Sequence, residues 1–217
     1  MRVLGLIPAR SGSKSIPNKN MALLGGKPLV QWVADAAKQS EHISDVLISS
    51  DDDNMMQPGC EFGYRPSCFC TDDSPIIDTI KYHVDEFVDA VALLQPTSPF
   101  VTPEIIDLCI WELMVSPNAN SIQTIAKMPH NHHAYNQREL KNGRVSFLLP
   151  FSRAECYNKQ LKPPLYVFGN LVVTRVSALD QGVFAEPSIG IEIPPEEAID
   201  IDTQQDLDLA NKIYYAS

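Results

Sequence analysis

Short apolar runs alternate with amphipathic helical stretches along most of this chain. Residues 3–9 are apolar without alternation, which is typical of a strand buried on both faces of a parallel sheet. Further strand-like runs lie at residues 46–50, 90–94, 121–126 and 165–174.

Helical periodicity fills the intervals between these runs. The predicted starts are Pro28, Ser74 followed by Pro75, Thr102 followed by Pro103, and Thr203 with Asp206 as its capping-box partner. The predicted buried stripes are Leu29, Val33, Ala36 and Ala37; Ile77, Ile80, Val84 and Phe87; Ile106, Cys109, Ile110 and Leu113; and Leu207, Ala210 and Ile213.

This alternation of strands and helices predicts an open, mostly parallel sheet with helices on both faces. Residues 51–73 carry Gly, Pro and Asp throughout and are predicted to be irregular. Residues 128–164 are polar and long for a plain loop, so we predict an arm or lid there. Residues 1–217 are predicted to form a single domain that includes this arm.

Composition limits the functional classes. The 217 residues are 44% hydrophobic and 20% charged, and the net charge is −10, which argues against a nucleic-acid partner. There is no apolar run of membrane-spanning length, so no membrane span is expected, and we expect no signal peptide because the first strand begins directly after Met1. The odd count of five cysteines matches no common zinc spacing, so reduced thiols and a cytoplasmic location are expected.

The segment after the first strand concentrates positive charge in an otherwise acidic chain. Arg10, Lys14 and Lys19 lie within ten residues, and Gly12 with its small neighbours would let backbone N–H groups approach phosphates. Neither the P-loop nor the dinucleotide fingerprint is present. The alternative interpretation is a solvated loop with incidental cations.

A second candidate lies near the other end of the chain. Asp200 and Asp202 alternate with Ile199 and Ile201, so an extended backbone would turn both carboxylates to one face, where they suit Mg²⁺. The alternative is an amphipathic edge strand that leads into a capped helix.

Two further features have competing interpretations. His130, His132 and His133 form either a transition-metal site or, as we expect, part of a polar arm, because no Cys or acidic partner lies close by. Phe184 either packs on a substrate or belongs to the core.

Four motifs follow one another along the chain. They are the string Ala-Arg-Ser-Gly-Ser-Lys-Ser-Ile-Pro-Asn-Lys-Asn at residues 9–20, Arg65-Pro66 with Asp72, Gln95-Pro96-Thr97-Ser98-Pro99, and Ile199-Asp200-Ile201-Asp202-Thr203. In this order they resemble the acylneuraminate cytidylyltransferases, also called CMP-sialic acid synthetases. The resemblance implies a three-layer, Rossmann-like nucleotidyltransferase fold and a homodimer, and the arm is then interpreted as a dimerisation or sugar-side element.

The same resemblance implies CTP and an acidic nine-carbon sugar as substrates, Mg²⁺ as cofactor, and a role for each matching residue. Arg10, Lys14 and Asp202 are the implied catalytic residues, and Asp200 and Asp202 the metal pair. The implied nucleotide-binding residues are Arg10, Ser11, Gly12, Ser13, Lys14, Lys19, Asn20 and Arg65, and the implied sugar-side residues are Gln95, Lys159, Gln160 and Phe184.

Departures from the family pattern fall on the sugar side. Gly169-Asn170 stands where many members have Asn-Gly, and Lys159-Gln160 stands where many have Arg-Gln. Enzymes for 3-deoxy-octulosonic acid have a different first loop, so the Gly-Ser-Lys version here favours nine-carbon acids. Legionaminic acid, pseudaminic acid and 3-deoxy-octulosonic acid remain alternative sugars, and an inactive nucleotide-binding homologue remains an alternative function.

Overall fold

A mostly parallel sheet of seven strands forms the centre of the computed structural model, which describes residues 1–216. Two separate two-stranded hairpins, β2–β3 and β8–β9, accompany it. In chain order the strands are β1 (Val3–Pro8), β2 (Leu23–Leu24), β3 (Lys27–Pro28), β4 (Asp45–Ser50), β5 (Glu61–Tyr64), β6 (Ala90–Leu93), β7 (Ser121–Lys127), β8 (Arg138–Lys141), β9 (Arg144–Phe147), β10 (Tyr166–Arg175) and β11 (Ser188–Ile193).

Five α-helices and several short 3₁₀ turns connect the strands within residues 1–216. The helices are α1 (Leu29–Gln39), α2 (Ile76–His83), α3 (Pro103–Val115), α4 (Pro150–Glu155) and α5 (Gln204–Ala216). The first helix starts one residue after the predicted Pro28. The Thr102 side chain accepts a hydrogen bond from the Ile105 N–H and caps α3 as predicted.

The strand order in the sheet is β11-β7-β10-β6-β1-β4-β5, and only β10 runs antiparallel to its neighbours. From β1 the chain moves outward through β4 and β5 and then returns to β6 on the other side of β1. The direction of winding therefore reverses between β1 and β6. Ligands of open α/β sheets bind beyond the carboxyl ends of the strands at such a point.

The sheet is covered on both faces. On one face, Val3 and Ile7 of β1 pack with α1 and α3, including Ile106 and Ile110. On the other face, the alternate β1 residues pack with Ile80 of α2. The predicted three-layer α/β fold is confirmed, and the unbroken apolar run of β1 follows from burial on both sides.

Three local predictions were wrong. Residues 51–73 are not wholly irregular, because β5 lies among them and adds an edge strand beside β4. Ser74 does not cap α2, since its hydroxyl donates to the Cys68 carbonyl and Pro75 occupies the N-cap position. The helix ends at His83, so Phe87 lies beyond it and is 65% exposed rather than buried.

Residues 128–164 form an excursion outside the sheet, as predicted. They contain the β8–β9 hairpin, turned by Asn142 and Gly143 at positive φ, and the short helix α4. Their apolar side chains remain largely exposed, namely Leu140, Val145, Leu148, Leu149, Phe151, Tyr157 and Leu161.

The chain re-enters the sheet through a bulge in β10. The register with β7 shifts between Phe168 and Val172, and the Thr124 hydroxyl accepts hydrogen bonds from the Asn170 and Leu171 N–H groups at 2.8 and 2.9 Å. A Cβ at Gly169 would lie 2.6 Å from Thr124 Oγ1. The close approach of Thr124 therefore requires glycine at position 169.

Candidate active site

A cavity of about 510 Å³ opens at the carboxyl ends of β1, β5 and β6, beside the reversal point of the sheet. Its wall comes from the loop after β1, the segment after β5, the start of α2 and the turn after β6. Seven of the sequence-predicted site residues line it, namely Arg10, Ser13, Lys14, Lys19, Asn20, Arg65 and Gln95.

Asp51, the residue that follows β4, holds the loop after β1 in place through hydrogen bonds. Ser11 donates its backbone N–H to one Asp51 oxygen at 2.7 Å and its hydroxyl to the other at 2.8 Å. Partial burial acts to raise the pKa of Asp51, but the bonds from Ser11 outweigh it and the pKa lies below its ordinary value. The Ser11 side chain therefore anchors the loop and does not line the cavity.

Two more features shape the same loop. The Asn20 amide donates to the Arg10 carbonyl at 2.9 Å and closes the loop on itself. Gly12 has φ of 75°, and a Cβ there would meet no atom within 4 Å. The left-handed backbone therefore accounts for glycine at this position, and the space above it is open.

Two cations of the loop share one carboxylate. Asp72 accepts from Arg10 Nη2 and from Lys14 Nζ, both at 2.5 Å, while Arg10 Nη1 donates to the Cys70 carbonyl. Lys14 and then Arg10 lower the pKa of Asp72 to about 2, so it is ionised at any assay pH. Lys14 is nevertheless 83% exposed and free to move to a ligand.

Arg65 differs from these cations because it is almost fully buried, with 4% of its surface exposed. Its Nε and Nη2 donate to the hydroxyl and carbonyl oxygens of Ser49, at 3.1 and 2.8 Å. Among the ion pairs of residues 1–216, none includes Arg65. Burial lowers its pKa, since charging a guanidinium away from water is costly.

The acidic pair near the end of the chain reaches the same site. Lys19 Nζ lies 2.9 Å from Asp202 Oδ1, and the Ile201 N–H donates to the carbonyl of Thr97, a residue of the cavity wall. The segment is not a strand, but the predicted alternation holds, because Ile201 is buried while Asp200 and Asp202 are exposed as whole residues. Protein atoms around the Asp200 carboxylate raise its pKa, and the charge of Asp202 adds to this.

These two carboxylates could hold a Mg²⁺ ion that takes its other ligands from substrate. No group of three or more His, Cys, Asp or Glu side chains that could enclose a metal occurs in residues 1–216. Mg²⁺ commonly binds through one or two carboxylates plus phosphate oxygens and water. Because burial and then the charge of Asp202 raise the pKa of Asp200, a cation beside this carboxylate would stabilise its ionised form.

Helix α5 fixes the position of the pair. Asp206 accepts from the N–H and hydroxyl of Thr203, both at 2.7 Å, which confirms the predicted capping box. At the far end, the Tyr214 ring packs edge-on against Trp32 and occupies the space that a Cβ on Gly25 would need. The β2–β3 hairpin and α1 thus hold the helix that follows the acidic pair.

Three predicted sugar-side residues lie elsewhere. Lys159 lines a separate cavity of about 460 Å³ with Lys162, His130 and His133 at the base of the arm. Gln160 lies in the same 3₁₀ turn as Lys159 and is exposed. Phe184 is 47% exposed and packs edge-on against Phe168 at 5.2 Å, so the core interpretation of this residue was wrong.

The histidine cluster divides between two environments. His133 is buried, with Nε2 2.9 Å from the Pro163 carbonyl and Nδ1 accepting from the Tyr135 N–H. His132 is exposed, and partial burial together with the charges of Lys162 and Lys159 lowers the pKa of His130. His133 is thus a hydrogen-bonded structural residue, in line with the polar-arm interpretation.

Sequence reasoning missed Asp51 and did not give Asp72 a role. Asp51 directly follows a buried parallel strand, and residues at that position commonly lie at the ligand site of an open α/β sheet, so the sequence could have identified it. Asp72 belongs to the Arg65-Pro66 motif, but its contact with Arg10 and Lys14 depends on the folded chain.

We also find that no helix in residues 1–216 combines the length and apolar character needed to cross a bilayer.

Comparison with known proteins gives relatives that act on acidic sugars. The chain is 41% identical over 117 residues to the CMP-N,N'-diacetyllegionaminic acid synthase of Legionella pneumophila, covering 49% of this chain and 50% of the relative. It is 26% identical over 219 residues to the N-acylneuraminate cytidylyltransferase of Oncorhynchus mykiss, covering 97% of this chain and 50% of that protein. The chain thus spans about half the length of these relatives.

A solved structure shares the fold over the whole chain. The CMP:2-keto-3-deoxy-manno-octonic acid synthetase, solved in complex with CTP, superposes with a TM-score of 0.73 at 17% identity, covering 100% of this chain and 99% of that one. The sequence model of the cytidylyltransferases matches residues 4–160, which is well over half of the chain and includes all the described residues that line the cavity. The chain therefore belongs to the cytidylyltransferase family.

Proposed function

We propose that this protein transfers CMP from CTP to the anomeric hydroxyl of a sialic-acid-like nonulosonic acid and releases pyrophosphate. The observation that carries the proposal is the ion pair between Lys19 and Asp202, 183 positions apart in sequence. It joins the cationic loop near the amino end of the chain to the acidic pair near the carboxyl end. Family membership and the names of the relatives support the same activity.

In this reaction the sugar hydroxyl attacks the α-phosphorus of CTP in line with the leaving group. A new sugar O–P bond forms, the bond to the β-phosphate bridging oxygen breaks, and the hydroxyl proton passes to solvent. Proteins accelerate such transfers mainly by positioning the reactants and neutralising charge. Arg10 and Lys14 exchange Asp72 for phosphate oxygens, and Arg65 contacts the nucleotide from the cavity wall.

Asp200 and Asp202 are proposed to hold Mg²⁺. A bound Mg²⁺ supplies charge neutralisation at phosphate oxygens and acidifies a nearby hydroxyl. Lys19 then transfers its interaction from Asp202 to a phosphate, which keeps the local charge balanced.

Fewer of the predicted sugar-side residues than of the predicted nucleotide-binding residues line this cavity. Gln95, in the turn after β6, is proposed to face the sugar. Lys159 and Gln160 lie in the arm, outside this cavity, and their contact with the sugar carboxylate stays a prediction of the family resemblance. The second candidate substrate is a legionaminic acid, which the 41% identity to the Legionella pneumophila synthase favours. Both candidates are acidic nine-carbon sugars, so one site chemistry serves either.

We further propose a cytoplasmic homodimer that uses the arm. The exposed apolar side chains of residues 138–161, such as Leu140 and Phe151, support an interface there, because monomers rarely expose large contiguous apolar patches. Light scattering on the purified protein should give a molecular mass twice that of one chain. The Phe151→Asp variant should give a mass closer to that of one chain. A monomer mass for the wild-type protein would contradict the homodimer.

The activity test is a pyrophosphate-release assay with CTP, Mg²⁺ and three sugars, namely N-acetylneuraminic acid, a legionaminic acid and 3-deoxy-octulosonic acid. We expect pyrophosphate release with at least one nine-carbon acid, and we expect that release to depend on Mg²⁺. Exclusive use of 3-deoxy-octulosonic acid would correct the substrate class. No release with any sugar, despite measurable CTP binding, would favour the nucleotide-binding homologue.

A further inference from the structure

Arg65 lines the cavity wall, but no carboxylate of the described residues 1–216 pairs with its guanidinium. Its Nε and Nη2 are engaged by Ser49, which is fully buried on β4. These bonds use the Nε proton and one Nη2 proton, and they leave both Nη1 protons and the second Nη2 proton to a ligand. The orientation of Arg65 therefore depends on what holds the Ser49 hydroxyl.

His83, the last residue of α2, holds that hydroxyl. Its Nε2 lies 2.8 Å from Ser49 Oγ. Arg65 Nε can only donate, so Ser49 Oγ accepts from it and has one proton left to donate. The arrangement satisfies every group when that proton goes to an unprotonated Nε2 of His83.

The backbone is shaped to admit the imidazole. Gly63 of β5 is paired with Ser49 across the sheet, and a Cβ at Gly63 would lie 2.7 Å from His83 Cε1. Any side chain at position 63 would displace the ring from Ser49. Gly63 thus leaves the space in which the His83 ring reaches the Ser49 hydroxyl.

We propose that His83 is a positioning residue for the nucleotide site: it orients Arg65 through the Ser49 hydroxyl while its Nε2 is unprotonated. The inference rests on the proposed function, in which Arg65 contacts CTP. Neither the motif that contains Arg65 nor the phosphate loop includes His83 or Ser49.

The surroundings of His83 disfavour its charged form. Arg65 is the charged group that acts on it from the packed elements, while Ser49, Gly63 and Leu47 contribute no charge and the neighbouring Tyr82 ring packs edge-on. Burial, and then the charge of Arg65, lower the pKa of His83 below its ordinary value. Protonation at acidic pH would give Ser49 Oγ two donors and leave its own proton without an acceptor.

The test compares variants by their dissociation constants for CTP, measured by calorimetry from about pH 7.5 down to about pH 4.5, because the lowered pKa of His83 places its titration below the ordinary histidine range of about 6.5. His83→Ala and Ser49→Ala should weaken binding about fivefold to tenfold at the upper pH, the usual effect of a lost buried hydrogen bond. His83→Gln places an amide oxygen near the Nε2 position and should bind within about twofold of wild type. His132→Gln, in the exposed part of the arm, is the matched control.

The pH dependence separates positioning from packing. The ratio of wild-type to His83→Gln affinity should fall as the pH falls, because only the wild-type contact is lost on protonation. Ionisation of CTP itself cancels in this ratio. A constant ratio, or full affinity in His83→Ala at pH 7.5, would overturn the proposal.

A second measurement needs no nucleotide. Long-range ¹H–¹⁵N spectra of histidine-labelled protein should show His83 neutral, with its proton on Nδ1, and its titration midpoint should rise in Arg65→Ala. A proton on Nε2 at neutral pH would refute the arrangement. Failure of the wild-type protein to bind CTP would count against the proposed function, while these spectra would still decide the contact among His83, Ser49 and Arg65.

Discussion

The carboxyl edge of the sheet and the arm contrast in how their residues are held. At the sheet edge, polar side chains of the segments beyond the strands are bonded to one another, as Asp51 is to Ser11 and Lys19 to Asp202. In the arm, residues 128–164 carry large apolar side chains in water, and Phe151 is 86% exposed. One region is preorganised for a ligand, while the other lacks a buried core in this chain alone.

This contrast matches the two substrates of the proposed reaction, with the nucleotide at the sheet edge and part of the predicted sugar side in the arm. The nucleotide side requires positive charges close to the phosphates, and loops anchored at a rigid sheet edge supply them with movement of side chains alone. The sugar-side candidates Lys159 and Gln160 lie in the arm, where the sequence also departs from the family pattern. Four predictions test the contrast, from the largest expected effect to the smallest.

Asp202→Ala removes one carboxylate of the proposed metal pair. We expect kcat for pyrophosphate release to fall about 10³-fold, because a catalytic metal commonly contributes several kcal/mol of transition-state stabilisation. Thermal stability should change little, since the side chain is exposed. Asp208→Ala, on the exposed side of α5, is the matched control, and a loss of threefold or less in Asp202→Ala would contradict the metal assignment.

Asp51→Ala releases the phosphate loop from β4. Two hydrogen bonds from Ser11 to a carboxylate contribute about 1.5–3 kcal/mol, so the KM for CTP should rise about tenfold to a hundredfold. Ser11→Ala loses only one of these bonds and should show a smaller increase. Asp52→Ala, whose carboxylate accepts from Asn54 instead, should leave the KM unchanged; an equal effect of both aspartates would refute the anchor.

Two glycines test rigidity on each side of the contrast. Gly169→Ala should lower the free energy of unfolding by about 1–3 kcal/mol, because its Cβ would overlap Thr124 and Ile193 in a packed bulge. Gly143→Ala in the arm hairpin meets no atom within 4 Å, and only its positive φ costs about 1 kcal/mol. Urea denaturation should rank Gly169→Ala as the less stable variant, and the reverse order would contradict the rigid bulge.

Asp72→Asn removes the carboxylate that occupies Arg10 and Lys14 in the free protein. CTP should bind about twofold to fivefold more tightly, a modest change because exposed ion pairs are weak. The pKa of Asp72 is about 2, so the gain should be constant across assays above about pH 4. Weaker binding in Asp72→Asn would show instead that Asp72 contributes to the nucleotide site.

The sequence alone was sufficient for the fold class and for the family. The unbroken apolar run of β1, the Thr102 cap and the Thr203–Asp206 box are local signals, and each depends on the identities of residues a few positions apart. The cationic loop and the Ile-Asp-Ile-Asp string were recognisable for the same reason. Edge strand β5 was not, because four residues that include a glycine carry almost no periodic signal.

Contacts between distant parts of the chain were decided only by the tertiary structure. Lys19 meets Asp202, Asp51 holds Ser11 and His83 reaches Arg65 through Ser49 because strand order brings their positions to one edge. No pattern along the chain encodes these pairings, since each depends on the side on which a returning strand joins the sheet. Local sequence determined which chemical groups are present, and packing of the sheet and helices determined which of them meet.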